Sequence, residues 1–213
     1  MSAAPTLFEK SALRKTLRQV RAAVPEGQRR LAGERILRLA LRHRLIARGR
    51  RIGLYIPKGD ELDCLPLLNR ALWLGAVCYL PMLPPRRQKK LWFTRLHEGR
   101  HWSVNRFGIP EFGLSHARYR AFWLDTLFLP LLGFDARGYR MGMGGGYYDA
   151  SLAYLARRRY WRRPRLIGLA FEAQRIERLP EDPWDVPLDG VLTESRFYRF
   201  RAAGQTAPDN VNA

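Results

Sequence analysis

The sequence runs to 213 residues, 46% hydrophobic and 12% aromatic, enough for one domain with a sizeable core. Its formal charge of +19, with Arg supplying 33 of the 38 basic residues, attracts nucleic acid and anionic small molecules alike, and the scatter of those residues along the chain suits a merely solvated surface equally well. No apolar run reaches membrane-spanning length, Glu9, Lys10, Arg14 and Lys15 interrupt the stretch where a signal peptide would lie, and Cys64 and Cys78 form neither a Cys-x-x-Cys pair nor a metal knuckle; the expectation is a soluble cytoplasmic protein with reduced, packed thiols and no membrane partner.

Residues 8 to 24 read as a first helix, because Leu13, Leu17, Val20 and Val24 recur at helical spacing and Pro25 stops it. Lys10 and Arg14 lie four apart on one face, where like charges repel slightly. Either that face is solvated or an anion lies between them, and the residues alone leave the two readings even. A second helix is predicted from Glu26 to Ala47, with Ala32, Ile36, Leu39 and Ala40 inward and Gly49 ending it. Ile52 to Ile56 reads as a buried strand running into Pro57-Lys-Gly-Asp-Glu61, loop chemistry at a strand's carboxyl end, where open α/β sheets bind ligands. Glu61 by itself reads as a solvated loop acid. Asp63 is predicted to cap a helix through Leu74 that stops at Gly75, and Val77 to Leu80 is the next strand, which sets up a βαβ rhythm. A proline-rich basic loop, Pro81 to Lys90, leads to an added strand at Leu91 to Thr94 and then to Asn105-Arg-Phe-Gly-Ile-Pro-Glu111. Trp92, Phe93 and Trp102 read as ordinary packing.

Asp125 to Phe134 reads as one buried strand, and Tyr148 to Arg158 as a helix with Leu152 and Leu155 inward. Between them lies Arg140-Met-Gly-Met-Gly-Gly-Gly-Tyr-Tyr-Asp149, in which four of the five residues 142–146 are glycine. A backbone with so few Cβ atoms can adopt positive φ and close its N–H groups on an anion. Arg140 supplies a planar fork of donors suited to phosphate, and Asp149 a hard carboxylate of the kind magnesium takes. The plainer reading is a flexible turn with an exposed Arg and an N-cap Asp. Strand, glycine loop and helix in that order make a phosphate-binding arrangement. Gly146 is followed by Tyr147-Tyr148 rather than Lys-Ser/Thr, which excludes a Walker loop, and tyrosine at 147 excludes a dinucleotide fingerprint beginning at Gly142. Beyond it, Arg157 to Arg165 reads as an exposed basic linker and Leu166 to Phe171 as a strand. Asp189 opens a short strand and on its own is a turn residue, and a polar tail from Ala202 is predicted to be disordered. These elements predict a single three-layer α/β/α domain over residues 1–201 with a mainly parallel sheet.

The run Gly-Phe-Asp-x-x-Gly-x-Arg-x-Gly-x-Gly-Gly-Gly-Tyr-Tyr-Asp, Gly133 to Asp149, resembles the signature of the 5-formyltetrahydrofolate cyclo-ligases, also called 5,10-methenyltetrahydrofolate synthetases, and the resemblance extends over roughly residues 8 to 200. It implies ATP- and Mg2+-dependent closure of 5-formyltetrahydrofolate to 5,10-methenyltetrahydrofolate, with reduced folate as the small-molecule partner, with or without a polyglutamate tail. It tips Lys10 and Arg14 towards the ATP phosphates, together with Arg140 and the loop residues Met141, Gly142, Met143, Gly144, Gly145, Gly146, Tyr147 and Tyr148. It assigns the folate to Ile56, Glu61 and Phe107 alongside Met143, Gly144, Gly145, Gly146 and Tyr147. It assigns magnesium to Asp149 and Asp189, and catalysis to Arg140 and Tyr147. Three departures stand out: Phe112 replaces an expected proline, Trp184 replaces a frequent His, and Met143 and Gly145 are neutral where some members carry a basic residue. The expectation is a monomer without a nucleic-acid role, since no RNP or KH pattern is present. A different small-molecule kinase on the same cradle is the nearer alternative, and a basic RNA-binding protein the more distant one.

Overall fold

Side chains on successive strand residues point to opposite sides, so a strand buried on both faces divides a core in two. Leu127, Phe128 and Leu129 do this here: Phe128 belongs to one apolar cluster, its two neighbours to another. The computed structural model describes residues 7–96, 102–112, 117–157 and 163–200. In chain order these form α1 (Leu7–Ala22), α2 (Glu26–Arg42), β1 (Arg51–Gly53), α3 (Leu65–Trp73), β2 (Val77–Met82), β3 (Trp92–Arg95), β4 (Trp102–Val104), β5 (Pro110–Phe112), β6 (Arg118–Tyr119), β7 (Thr126–Pro130), β8 (Gly133–Phe134), β9 (Arg140–Met141), α4 (Tyr147–Leu152), β10 (Arg165–Leu169), β11 (Gly190–Leu192) and β12 (Phe197–Arg199). Eight strands make one sheet in the order β12-β11-β10-β7-β1-β2-β3-β6. Its five central strands are parallel, and β12, β3 and β6 join antiparallel at the edges. The fold is thus a layered α/β architecture with a mainly parallel central sheet.

On one face α2 and α3 bury Ala32, Ile36, Ala40, Leu67 and Ala71 against Ile52, Leu54, Phe128 and Ile167. On the other, Leu152 and Leu155 meet Leu127, Leu129, Leu166 and Val191. The β8–β9 hairpin covers part of this second face, and α1 lies outside it, seating Leu17 among Leu132, Met141 and Leu179. Asp135, wholly buried at the hairpin turn, accepts the amides of Arg137, Tyr139 and Leu179 and pairs with the Arg137 guanidinium at 2.8 Å. Part of the Gly133–Asp149 signature is therefore a device for shaping this turn.

Several boundaries differ from the sequence expectation, each for a local reason. The run Asp125 to Phe134 is two strands, because the chain leaves the sheet after Pro130 and the Leu132 amide turns to the Met141 carbonyl at 2.8 Å. Gly133 permits the turn to pack under α1, since a Cβ there would lie 2.8 Å from a Leu17 methyl. Helix α2 stops at Arg42 because Arg44 takes φ 51°; the Leu45 amide returns to the Ala40 carbonyl and that of Arg44 to Leu41, a Schellman closure built without glycine. Strand β1 ends at Gly53, although the Leu54 amide still reaches the Tyr79 carbonyl at 3.0 Å. Asp63 accepts the Leu65 amide at 2.9 Å from one residue before the cap position. Helix α4 begins at Tyr147, is capped by Gly146 at φ 70°, and tightens to a 3-10 helix over Ala153–Arg157. Asp149 is therefore in the first turn and is not the N-cap. Cys64 and Cys78 are buried and unbridged. Arg158, most of the basic linker and the tail from Ala202 lie outside the described residues.

Candidate active site

Helix α1 carries Lys10, Arg14, Arg18 and Arg21 at spacings of four, four and three, so one face is a cationic ridge about 16 Å long. The glycine loop and two acidic segments lie along it. Lys10 Nζ meets Asp182 at 2.6 Å and Asp185 at 3.7 Å. Arg14 donates to the Gly142 carbonyl at 3.2 Å and Arg18 to that of Met143 at 3.3 Å. Arg21, buried, pairs with Asp60 at 2.7 Å and stands 3.8 Å from Glu61. Lys89, on the loop after the carboxyl end of β2, donates to the Gly145 carbonyl at 3.0 Å. Three carbonyls of the glycine loop are thus turned onto side-chain cations. Gly144 at φ +95° and Gly146 at φ +70° adopt the backbone that the glycine spelling anticipates, and a Cβ at Gly144 would lie 3.5 Å from Arg14 Nε.

Arg140 is not an open donor at the loop's edge. Its side chain is 6% exposed, gives one nitrogen to the Val186 carbonyl at 2.9 Å and pairs with Asp149 through another. Asp149 is 44% exposed and shares its electrostatic field with Asp185. Burial raises the Asp185 carboxyl above the usual range against the pull of the Asp182 amide and Lys10, and the charges of Asp149 and Asp182 push the same way. Asp189 is placed elsewhere. Its carboxylate accepts the Leu166 amide at 2.7 Å beside the amino-terminal end of β10, whereas the glycine loop meets Lys89 beyond the carboxyl end of β2. Asp149 and Asp189 thus meet different surroundings, and the acid whose field Asp149 shares is Asp185. Among the described residues no three His, Cys, Asp or Glu side chains converge on a common point.

The folate candidates surround the other end of the loop. Glu61, held by the Lys58 amide at 3.1 Å, has its carboxyl pushed up by burial against the Lys58 amide and Arg21, while Asp60 adds to the rise. Lys58 Nζ donates to the Phe107 carbonyl, which joins the 57–61 loop to the Asn105–Ile109 turn. Phe107 meets the Tyr147 ring edge-on at 6.2 Å, and Arg106 donates to the Tyr147 hydroxyl at 2.7 Å. Ile56 is half-buried beside the β1 cluster. The Tyr148 hydroxyl is driven well above its ordinary pKa by burial, with the charges of Glu61 and Cys64 adding and Arg140 opposing. Met141 is buried under α1, while Met143 is exposed on the loop. Phe112 lies in β5 paired with Trp102, and Trp184 is exposed next to Asp185.

The sequence pattern does not single out Asp182, Asp185, Arg18, Arg21, Lys89 or Arg106. Arg18 and Arg21 continue the Lys10–Arg14 face, a periodicity visible in the letters. Asp182 and Asp185 form an acidic pair that a +19 chain makes conspicuous. Lys89 and Arg106 lie in loops with no periodic signal.

Fold and site together define the class: an α/β protein whose glycine loop, rimmed by cations beyond the carboxyl ends of the central strands, suits an anionic ligand. The chain belongs to the 5-formyltetrahydrofolate cyclo-ligase family, whose model matches residues 7–194, and is thereby an enzyme of the ligase class. It is 31% identical over 185 residues to the 5-formyltetrahydrofolate cyclo-ligase of Escherichia coli K12, covering 86% of this chain and 100% of that one. The enzyme of the same name from Haemophilus influenzae is 34% identical over 184 residues, covering 84% and 95%. The NMR structure of Aquifex aeolicus 5,10-methenyltetrahydrofolate synthetase superposes with a TM-score of 0.73 at 29% identity, covering 94% of this chain and 97% of that one.

Proposed function

We propose that this chain closes 5-formyltetrahydrofolate to 5,10-methenyltetrahydrofolate, converting ATP to ADP and phosphate. One observation supports this most: the cation-rimmed glycine loop ends on Tyr147, whose ring also faces Phe107, so the phosphate cradle and the aromatic pair share one residue. In this reading Arg14, Arg18 and the loop amides hold the triphosphate, with Arg140 and Lys10 behind them. Glu61 accepts from the amino-pyrimidinone edge of the pterin, and Phe107, Tyr147 and Ile56 enclose it.

The formyl oxygen is a poor leaving group. Transfer of the γ-phosphoryl to it breaks the bond to ADP and forms a phosphate ester on the formyl carbon. The neighbouring secondary amine then attacks that carbon, its proton passes to solvent, and phosphate departs with the electrons of the carbon–oxygen bond, leaving the methenyl cation. Such a sequence needs positioning and charge neutralisation rather than a protein nucleophile. Asp149 and Asp185 suit magnesium because two hard carboxylates share a field beside the loop, and magnesium is commonly held by one or two carboxylates plus substrate phosphates. When bound it would neutralise phosphate charge. Arg140 and Lys10 neutralise these acids in the present arrangement, so ligand binding exchanges partners within an existing charge network.

All of these groups project from one sheet and its flanking layers, which favours a single domain over residues 1–201; a cytoplasmic monomer is the form this reading takes as acting. The test follows methenyltetrahydrofolate absorbance with 5-formyltetrahydrofolate, ATP and magnesium, omitting each in turn. Product should require all three, and ATP consumption that ignores the folate would overturn the reading in favour of another kinase.

A further inference from the structure

The glycine loop has no cation of its own between Met141 and Tyr148, yet a phosphoryl group in flight needs one close by. Among the described residues six cations border the loop, its acids or Tyr147, and their commitments differ. Arg106 is engaged with the Tyr147 hydroxyl at 2.7 Å and reaches the Pro84 carbonyl. Lys10 and Arg140 are held by carboxylates, and Arg14 and Arg18 reach the loop's first half from α1. Lys89 comes from a different element, with Nζ 3.0 Å from the Gly145 carbonyl and 5.0 Å from the Tyr147 ring centroid. Its ammonium thus lies at the seam between the phosphate loop and the aromatic pair Tyr147–Phe107. Among the described residues it pairs with no carboxylate. Its segment is also anchored: the Leu91 amide donates to Ser151 Oγ at 2.8 Å, and Ser151 Oγ donates to the Tyr147 carbonyl at 2.6 Å. The stretch that carries Lys89 and the turn that carries Tyr147 are therefore fixed to each other.

Building on the reaction assigned above, we infer that Lys89 is a catalytic residue, its ammonium leaving the neutral Gly145 carbonyl to contact the γ-phosphoryl oxygens as the bond to ADP breaks and the bond to the formyl oxygen forms. A carbonyl is a weaker partner for an ammonium than a phosphoryl oxygen, so the exchange favours the charged group. Lys89 supplies from a neighbouring loop the positive charge that Met143 and Gly145 do not provide within the glycine run.

The experiment compares wild type, Lys89→Met and Lys89→Cys in the cyclisation assay, with thermal melts alongside. Lys89→Met should lower kcat on the order of 100-fold while the KM values for ATP and 5-formyltetrahydrofolate stay within about threefold and the melt is unchanged. Lys89→Cys should be equally slow and recover most of its turnover after alkylation with 2-bromoethylamine, which restores an ammonium of similar reach. The native thiols should not compete, because burial pushes both Cys64 and Cys78 up to about 12. An unchanged kcat in Lys89→Met, a loss confined to KM, or a loss that aminoethylation leaves in place would each overturn the assignment. A wild-type protein that forms no methenyl product would instead overturn the reaction itself, and the role of Lys89 with it.

Discussion

Arg140 divides its guanidinium between the Val186 carbonyl and Asp149, so it joins the 182–189 segment to the first turn of α4. Replacing it should cost both stability and rate. Arg140→Ala is expected to lower turnover by roughly two to three decades, as loss of a fork donor near a transferring phosphoryl does, and to lower Tm because a buried carbonyl is left without its donor. Arg140→Lys should regain part of either property, since one ammonium cannot reproduce the two-armed geometry. Steady-state kinetics and melts on both variants check this, and full activity in Arg140→Ala would remove the residue from the mechanism. Glu61 gives a pH signature. Its folded-state pKa is raised, first by burial, so as pH falls the carboxylate is lost sooner than in an ordinary glutamate. By linkage, the protonated form is the one the fold favours: the contribution to stability is present below the unfolded pKa and lost as pH rises through the folded one. Folate binding should run the other way, weakening as pH falls through the folded pKa. Glu61→Gln should flatten that limb in the folate KM, weaken folate by about 1.5–3 kcal/mol and leave the KM for ATP in place. A fall in ATP affinity instead would show that the pocket is misassigned.

The glycine loop was legible as an element because four glycines in five positions have few other uses, and the positive φ of Gly144 and Gly146 follows from that spelling. The end of α2 was not, since its left-handed residue is Arg44 and nothing in the letter R announces positive φ. The break between β7 and β8 was hidden in one apolar run, because both pieces are buried and only the hairpin and α1 make them different. The acids proposed for magnesium show the same limit. Asp185 and Asp189 are four residues apart, and only the path into β11 assigns one to the loop side and the other to Leu166. This distinction is testable. Asp149→Asn and Asp185→Asn should each shift the magnesium dependence of cyclisation to higher concentration, with small changes in the melt, because the half-exposed Asp149 pair contributes no more than about 1 kcal/mol after solvent screening. Asp189→Ala should do the reverse, lowering stability by about 1–3 kcal/mol through the unpaired Leu166 amide while the magnesium midpoint stays put. A magnesium shift in Asp189→Ala alone would restore the original pairing.

At the scale of the whole molecule, the +19 charge admits a simple kinetic reading. If it steers anionic substrates, kcat/KM for ATP should fall as ionic strength rises while kcat holds nearly constant, because steering acts on encounter and not on chemistry. A steep salt dependence of RNA binding, with cyclisation inhibited by RNA at physiological salt, would instead support a nucleic-acid role. No helix among the described residues is long and apolar enough to cross a membrane. The way α1 is attached carries its own consequence. Among its described side chains Leu17 is buried, with Leu13 beside it, and ionic or polar ties run from Lys10 to Asp182, from Arg14 and Arg18 to loop carbonyls, and from Arg21 to Asp60. A helix with this many ionic ties should breathe on a faster clock than the apolar sheet beneath it. Amide deuteration of α1 should accelerate with added salt and slow when nucleotide gathers Arg14 and Arg18, while the amides of β7 keep their protection under both conditions. If Arg14 and Arg18 hold the nucleotide as proposed, the opening of the N-terminal helix would set a ceiling on how fast the spent nucleotide can leave.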